Sequence, residues 1–350
     1  MKNFRCDQCG IMVFFENDHC TKCGEPLGFD PGLLEMASRK KWESRTDSAN
    51  PIRKCANYDN YNICNWLVSD AQDNAYCVAC RLNQTIPDLN VEGNQARWSR
   101  LELAKRRCLY IYMRLGLPIA PGKDEKRLPL RFRFLADTPH ATVITGHDQG
   151  IITINIAEAD GDERERRRLN LHEPYRTLVG HIRHETGHYY WDRFIANSGY
   201  LQKFRALFGD ETLDYNQAMQ KYYQEGPAKD WADRCITPYA SWHPWEDWAE
   251  TWAHYLHIVD TLETAASLGL GLNKSGQENE TPKKVVGEIS SRGRDFDRLM
   301  SDWQPLTLAL NSINRSMGIL DLYPFIIPRA AVEKLRFIHD LIEDKADKHR

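Results

Sequence analysis

The segment His184-Glu185-Thr186-Gly187-His188 carries residue types at a spacing that suits metal-activated hydrolysis. Residues four apart on an α-helix lie on one face, so the two imidazoles present nitrogen ligands to one ion. Zinc suits such a pair, and a catalytic zinc takes three protein ligands and keeps a fourth position open to water. Glu185, beside the first histidine, faces that open position instead of coordinating. Zinc lowers the pKa of the water toward about 7, and Glu185 takes its proton as the water attacks a carbonyl carbon. With 12 histidines among 350 residues, the pattern arises by chance about 0.03 times per chain of this composition. Two core histidines flanking a glutamate by accident therefore carry little weight.

The third ligand has to come from elsewhere in the chain. The run His243-Pro244-Trp245-Glu246-Asp247-Trp248-Ala249-Glu250-Thr251-Trp252-Ala253-His254-Tyr255 supplies it. Pro244 suits a first helical position, and acidic residues in the first turn suit the helix dipole. Glu246 and Glu250 share a face, whereas Trp245, Trp248 and Trp252 form a separate stripe that reads as core. Glu246 is the expected third zinc ligand. Glu250, one turn on, is expected to accept the N–H of a zinc-bound imidazole, His184 by preference, and so to set its tautomer. His243, Asp247, His254 and His257 are the fallback ligands. Tyr239 precedes Glu246 by seven residues, in a segment that Pro238 and Pro244 keep out of helix. It can donate to a developing oxyanion, and on residues alone a plain hydrogen-bonded tyrosine explains it equally well.

A second kind of metal chemistry occupies the start of the chain. Eight of the ten cysteines lie before residue 81. Cys6, Cys9, Cys20 and Cys23 form two C-x2-C pairs, each followed by a glycine (Gly10, Gly24) that can take positive φ and turn backbone N–H groups toward sulfur. This spacing predicts a zinc ribbon held by four thiolates. So short a segment lacks a core of its own, and structural zinc binding of about 10–16 kcal/mol is enough to fold it. Cys55, Cys64, Cys77 and Cys80 are spaced less regularly and predict a second four-cysteine zinc site. Interleaved pairing between the two sets stays open, and His19 is a substitute ligand that four cysteines make unnecessary. The expected cofactor is zinc, one ion catalytic and two structural.

These groups need elements to hold them. Apolar residues Trp98, Leu101, Ala104, Cys108, Ile111 and Leu115 recur at spacings of three and four and predict a helix over 94–115. A short charged helix is expected over Leu33–Trp42. Leu130, Phe132 and Phe134 alternate with arginines, and Thr142–Gly146 and Ile151–Ile156 flank the turn residues His147–Gly150, so strands and a hairpin are expected there. The helix with the two histidines is expected to start near Pro174 and run to about Ala196. Its Gly180 and Gly187 each cost about 1 kcal/mol relative to alanine, which points to close approach of a neighbouring element. After residue 200 the periodicity is helical, apart from a polar loop over Leu270–Lys284. The expected organisation is a zinc ribbon (1–28), a linker (29–50), a second four-cysteine module (51–92), a connecting helix (93–120) and a body (121–350).

Composition narrows the function. Net charge is -3, and residues 1–92 hold 10 Lys and Arg against 13 Asp and Glu. No basic patch of the kind nucleic-acid binding needs is present there. No stretch approaches the about 20 apolar residues of a membrane span. The start Met1–Cys6 has no apolar core of a secretory signal, so the expected location is cytoplasmic, where clustered cysteines bind metal more often than they pair.

Taken together, these residues resemble the gluzincin-type metallopeptidases, and most closely the bacterial zinc-binding metallopeptidases with an N-terminal zinc-ribbon region. The carriers are the two cysteine sets, Cys64–Trp66, Cys77–Asn83, Gly150–Asp160, Glu173–Leu178, Arg183–Asp192 and His243–His257. The resemblance implies an α+β, zincin-like fold: a small twisted sheet whose edge strand, the hairpin Thr142–Ile156, aligns an extended peptide above the histidine helix, with a mostly helical C-terminal part. It also implies Glu246 as ligand, Glu250 behind it and Tyr239 at the oxyanion. The expected function is a zinc-dependent endopeptidase acting on a peptide or protein substrate, with a further protein partner at the cysteine-rich region. Two other readings are an inactive zincin scaffold that binds proteins, and a zinc-ribbon regulator that binds nucleic acid.

Overall fold

The computed structural model describes residues 1–46, 51–69, 74–119, 128–162, 164, 177–272, 283–284 and 295–346. The chain is α+β and divides into two compact units, Met1–Glu163 and Arg164–Arg350. Among the described residues no helix is long and apolar enough to cross a membrane.

The first unit opens with antiparallel ribbons: β1 (Phe4–Arg5) with β2 (Met12–Val13), and β3 (Leu27–Asp30) with β4 (Glu35–Ser38). Helix α1 (Arg39–Ser44) follows, with Ser38 capping it through the N–H of Lys41. The charged helix expected over Leu33–Trp42 is thus shorter and later. Residues 27–30 pair with 35–38 and are mostly buried, and ladder pairing displaces the helix that local composition favours. β5 (Arg53–Lys54) pairs with β6 (Leu67–Val68), and α2 (Ala56–Tyr61) lies between them.

One aromatic core serves both cysteine sets. Phe15 packs edge-on to Phe29 at 4.9 Å, Phe29 against Trp66 at 4.9 Å, and Tyr110 against Phe15 at 5.8 Å. Tyr110 comes from α3 (Asn94–Arg114), which buries Trp98, Leu101, Ala104, Cys108 and Ile111 as its periodicity requires. Asn65 ties the ribbons further, donating to Phe15 O at 2.6 Å, and Phe29 N–H donates to Asn65 O at 2.8 Å.

The rest of this unit is a four-stranded sheet of order β7-β8-β10-β9, made of Asn83–Thr85, Arg131–Leu135, Ile151–Asn155 and Gly146–Asp148. β8 lies parallel to both β7 and β10, and β9 runs antiparallel to β10 along the sheet edge. A hairpin forms here, but its first strand is not the expected Thr142–Gly146: only Gly146 of that run is in β9. His147 and Asp148, expected in the turn, pair with Ile152 and Ile151, leaving only Gln149 and Gly150 in the turn, both at positive φ. Phe132 and Phe134 are fully buried, while Arg131 and Arg133, which alternate with them, are not.

The described residues of the second unit are mostly helical. Its helices are α4 (Leu178–Phe194), α5 (Leu201–Phe208), α6 (Tyr215–Glu225), α7 (Trp231–Arg234), α8 (Pro244–Ser267), α9 (Phe296–Ser316) and α10 (Arg329–Ala346). The expected helix start at Pro174 lies outside the described residues. α4 begins at Leu178 because Thr177, extended at φ -118, accepts the N–H of Gly180 and caps it. Between Leu270 and Lys284, β11 (Gly271–Leu272) pairs with β12 (Lys283–Lys284), and the residues between them lie outside the described ones. The core gathers Tyr190, Phe204, Phe208, Trp248, Trp252 and Phe337, with ring separations of 4.9–6.2 Å.

Candidate metal centre

Helices α4 and α8 make the centre, and Gly187 sets how close they come. A Cβ at Gly187 would stand 3.0 Å from the Cα of Ala249 and 3.3 Å from its carbonyl oxygen. Trp248 fastens the same point by donating to Gly187 O at 2.8 Å. The close approach expected of the helix glycines is therefore present at Gly187, whereas Gly180 serves the N-terminal cap.

This approach brings the α8 carboxylates onto the α4 imidazoles. His184 Nε2 lies 3.0 Å from Glu246 Oε2, and His188 Nε2 lies 3.3 Å from Glu246 Oε1. Ligand atoms of all three residues fall within 4.8 Å of one another. Three N and O ligands held about 2.0–2.1 Å from one zinc at tetrahedral angles would stand about 3.3 Å apart, so spacing and donor set fit zinc. Burial disfavours the charged form of His184, but the carboxylates of Glu246 and Glu250 outweigh it and push its pKa well above the usual value. Burial opposes the charge of Glu246 too, yet the imidazoles of His188 and His184 hold its carboxyl well below the usual range. The two carboxylates thus favour positive charge at this point.

The residues around this cluster are also engaged. Glu250 Oε1 lies 2.7 Å from His184 Nδ1, and its Oε2 accepts from the Thr237 hydroxyl at 2.7 Å. Glu185 is buried beside His181, with 3.5 Å between His181 Nε2 and its Oε1. Tyr239 lies on the 3-10 turn Tyr239–Ser241, its ring 5.9 Å from that of His184. Its hydroxyl makes no hydrogen bond among the described residues. Burial and the nearby carboxylates of Glu246 and Glu185 raise its pKa well above 10, so it stays a donor.

The fallback ligands have other work. His243 caps α8 by accepting the N–H of Trp245 and donates to Leu213 O at 3.2 Å. Asp247 pairs with Lys334. His254 Nδ1 lies 2.6 Å from the Tyr323 hydroxyl, and His257 Nδ1 lies 2.8 Å from Arg183 Nη1. One expectation needs correction. Trp248 and Trp252 are fully buried, but Trp245 leaves the core stripe and lies over the His188 ring at 4.0 Å. It sits in the first turn of α8, immediately before Glu246.

Sequence reasoning missed two groups that touch the carboxylates. One is Thr237. The other is Tyr215, whose hydroxyl donates to Glu246 Oε1 at 2.8 Å. Neither has a spacing relation to Glu246 or Glu250 that a helix or strand period would reveal.

In the first unit eight of the nine cysteines sort into two groups, Cys6, Cys9, Cys20 and Cys23, and Cys55, Cys64, Cys77 and Cys80. The sets do not interleave, and His19 stays outside, beside Asp18. Sulfur separations are 3.8 Å for Cys6–Cys23, 3.5 Å for Cys9–Cys20 and 3.7 Å for Cys64–Cys77. Four thiolates about 2.3 Å from a zinc would stand about 3.8 Å apart, so both sets fit that ion. Gly10 and Gly24 take positive φ, and backbone N–H groups of Cys23 and Lys22 draw the Cys20 thiol down to about 6. Beside the second set lies Arg106, buried, with no hydrogen bond to its Nε and Nη1 among the described residues. Although burial opposes its charge, the sulfurs of Cys64, Cys80 and Cys77 and the carboxylate of Glu102 raise its pKa.

Comparison with known proteins is consistent with this chemistry. Residues 94–341 match the family described as "Putative zinc-binding metallo-peptidase". The chain belongs to that family. Residues 3–91 match a zinc-ribbon domain. Uncharacterized proteins of Mycobacterium tuberculosis and Mycobacterium bovis are 42% identical to this family member over 349 residues, covering 99% of it and 96% of their own length. No solved structure matches the chain.

Proposed function

We propose that this family member hydrolyses peptide bonds at a zinc ion held by His184, His188 and Glu246, with Glu185 as general base. The observation that carries the reading is the Glu246 carboxylate lying between the two imidazoles at separations a tetrahedral zinc requires. Zinc bound there supplies a water that ionises near neutral pH and positive charge for a carbonyl oxygen. Glu185 takes the proton of the attacking water and passes it to the departing amine. Tyr239, a protonated phenol with an uncommitted hydroxyl, donates to the oxyanion. Glu250 accepts from Nδ1–H of His184 and so leaves Nε2 as the ligand atom. The two four-cysteine sites hold structural zinc, which makes three ions per chain, and the zinc-ribbon region is a surface for a protein partner.

Cleavage of an end-blocked peptide library by zinc-replete wild type and Glu185→Gln tests the reading. Wild type should cut internal bonds, as an endopeptidase does, and the variant should retain three zinc ions but lose cleavage by more than about 100-fold. Equal activity in the variant would refute the mechanism. A wild type that cleaves nothing would refute the function.

A further inference from the structure

We infer that Tyr215 is a positioning residue that holds Glu246 to a single ligating oxygen and so sets both the grip on the metal and the number of open positions. The inference rests on the reading of Glu246 as a metal ligand. Glu246 is 1% exposed, so solvent does not satisfy its oxygens. Oε2 faces His184 Nε2, while Oε1 is shared between His188 Nε2 and the Tyr215 hydroxyl at 2.8 Å. A carboxylate with both oxygens available can chelate an ion, which would fill the position that hydrolysis needs for water. A phenol donating to one oxygen makes that oxygen the poorer ligand and leaves the other to bind. A phenol keeps its proton at neutral pH, so Tyr215 is the donor in this contact.

The fold holds Tyr215 in this place from several sides. It is the first residue of α6, whose Asp214 cap accepts from Gln217 N–H. α6 has no fully buried residue, so core packing does not account for its position. The Tyr215 ring instead packs at 4.7 Å on Trp242 and at 5.1 Å on His243. The loop before it is tied to the start of α8, where His243 donates to Leu213 O and Gly209 abuts Pro244. His243 thus caps the helix that carries Glu246 and fixes the strand of chain that delivers Tyr215. Ligand and donor are registered against each other through one residue.

The test measures metal binding and needs no turnover. Full-length protein is loaded with two equivalents of zinc for the cysteine sites, and the third site is titrated with zinc against a chelator and, separately, with cobalt. Tyr215→Phe keeps the ring against Trp242 and should retain both cysteine-bound zincs. It should weaken the third equivalent by about 10–100-fold, and its cobalt spectrum should lose intensity as the freed carboxylate chelates and raises the coordination number. Tyr223→Phe, which removes a phenol from the same helix, should bind like wild type. Equal affinity and equal spectra for Tyr215→Phe and wild type would overturn the inference. Wild type that binds no third ion, or Glu246→Ala that binds it as tightly as wild type, would instead overturn the reading of Glu246 on which the inference rests.

Discussion

Replacing Gly187 by alanine tests the helix contact on which the site depends. In an isolated helix the change stabilises by about 1 kcal/mol, because glycine loses more backbone freedom on folding. Here the new methyl would stand 3.0 Å from the Cα of Ala249, 3.3 Å from its carbonyl oxygen and 3.3 Å from the Cβ of Trp252. Carbon contacts are most favourable at about 3.5–4.0 Å, so α4 and α8 would have to part by about half an ångström. The obstructing atoms are mostly backbone of a 24-residue helix, and Trp248 is pinned to Gly187 O, so no flexible side chain can move aside. Overpacking of this kind costs about 1–3 kcal/mol, which outweighs the propensity gain and leaves a net loss of about 1 kcal/mol. In a unit of this size that is about 2–4 °C in Tm. The metal site should suffer more, since Glu246 and Glu250 ride on the helix that is pushed away and ligand geometry has a tolerance of about 0.5 Å. We expect Gly187→Ala to lower Tm slightly in thermal melts of chelated protein and to weaken the third zinc about 10-fold in chelator competition. A variant that gains about 1 kcal/mol and binds the third zinc unchanged would refute the reasoning, because the helices could not then be in backbone contact.

Two further outcomes are expected. Tyr239→Phe should lower kcat by about 100–1,000-fold with KM and zinc content little changed, since its hydroxyl is needed only as the oxyanion forms; an unaltered kcat in steady-state kinetics would exclude the role. Cys235 is buried and its thiol pushed up to about 12 by burial and the charge of Asp247, so at pH 8 almost none is thiolate. It should resist iodoacetamide in the folded protein even after a chelator has removed metal from Cys9 and Cys23, and mass mapping that finds Cys235 labelled first would contradict this.

Local chemistry was legible in the sequence wherever it follows from periodicity. A four-residue spacing places His184 with His188, and Glu246 with Glu250, on single helix faces, and the C-x2-C pairs place thiols together. The same logic located α3, whose periodic residues are buried. It was weaker where pairing competes with propensity. Residues 33–38 read as helix but belong to a hairpin because Glu35–Ser38 finds a partner in Leu27–Asp30. It was also weaker at a helix start, where Trp245 reads as one more member of a core stripe yet lies on His188.

By itself, then, the sequence determined which groups can bind metal and which helical or knuckle unit presents each, because those relations span only a few residues and backbone geometry sets them. Tertiary structure decided which units meet. It laid Glu246 between two imidazoles more than fifty residues away, separated the eight cysteines into two sets, and put Thr237 and Tyr215 behind the carboxylates. Those contacts depend on a glycine that lets two helices touch and on rings that dock an otherwise exposed helix, and neither leaves a period in the chain.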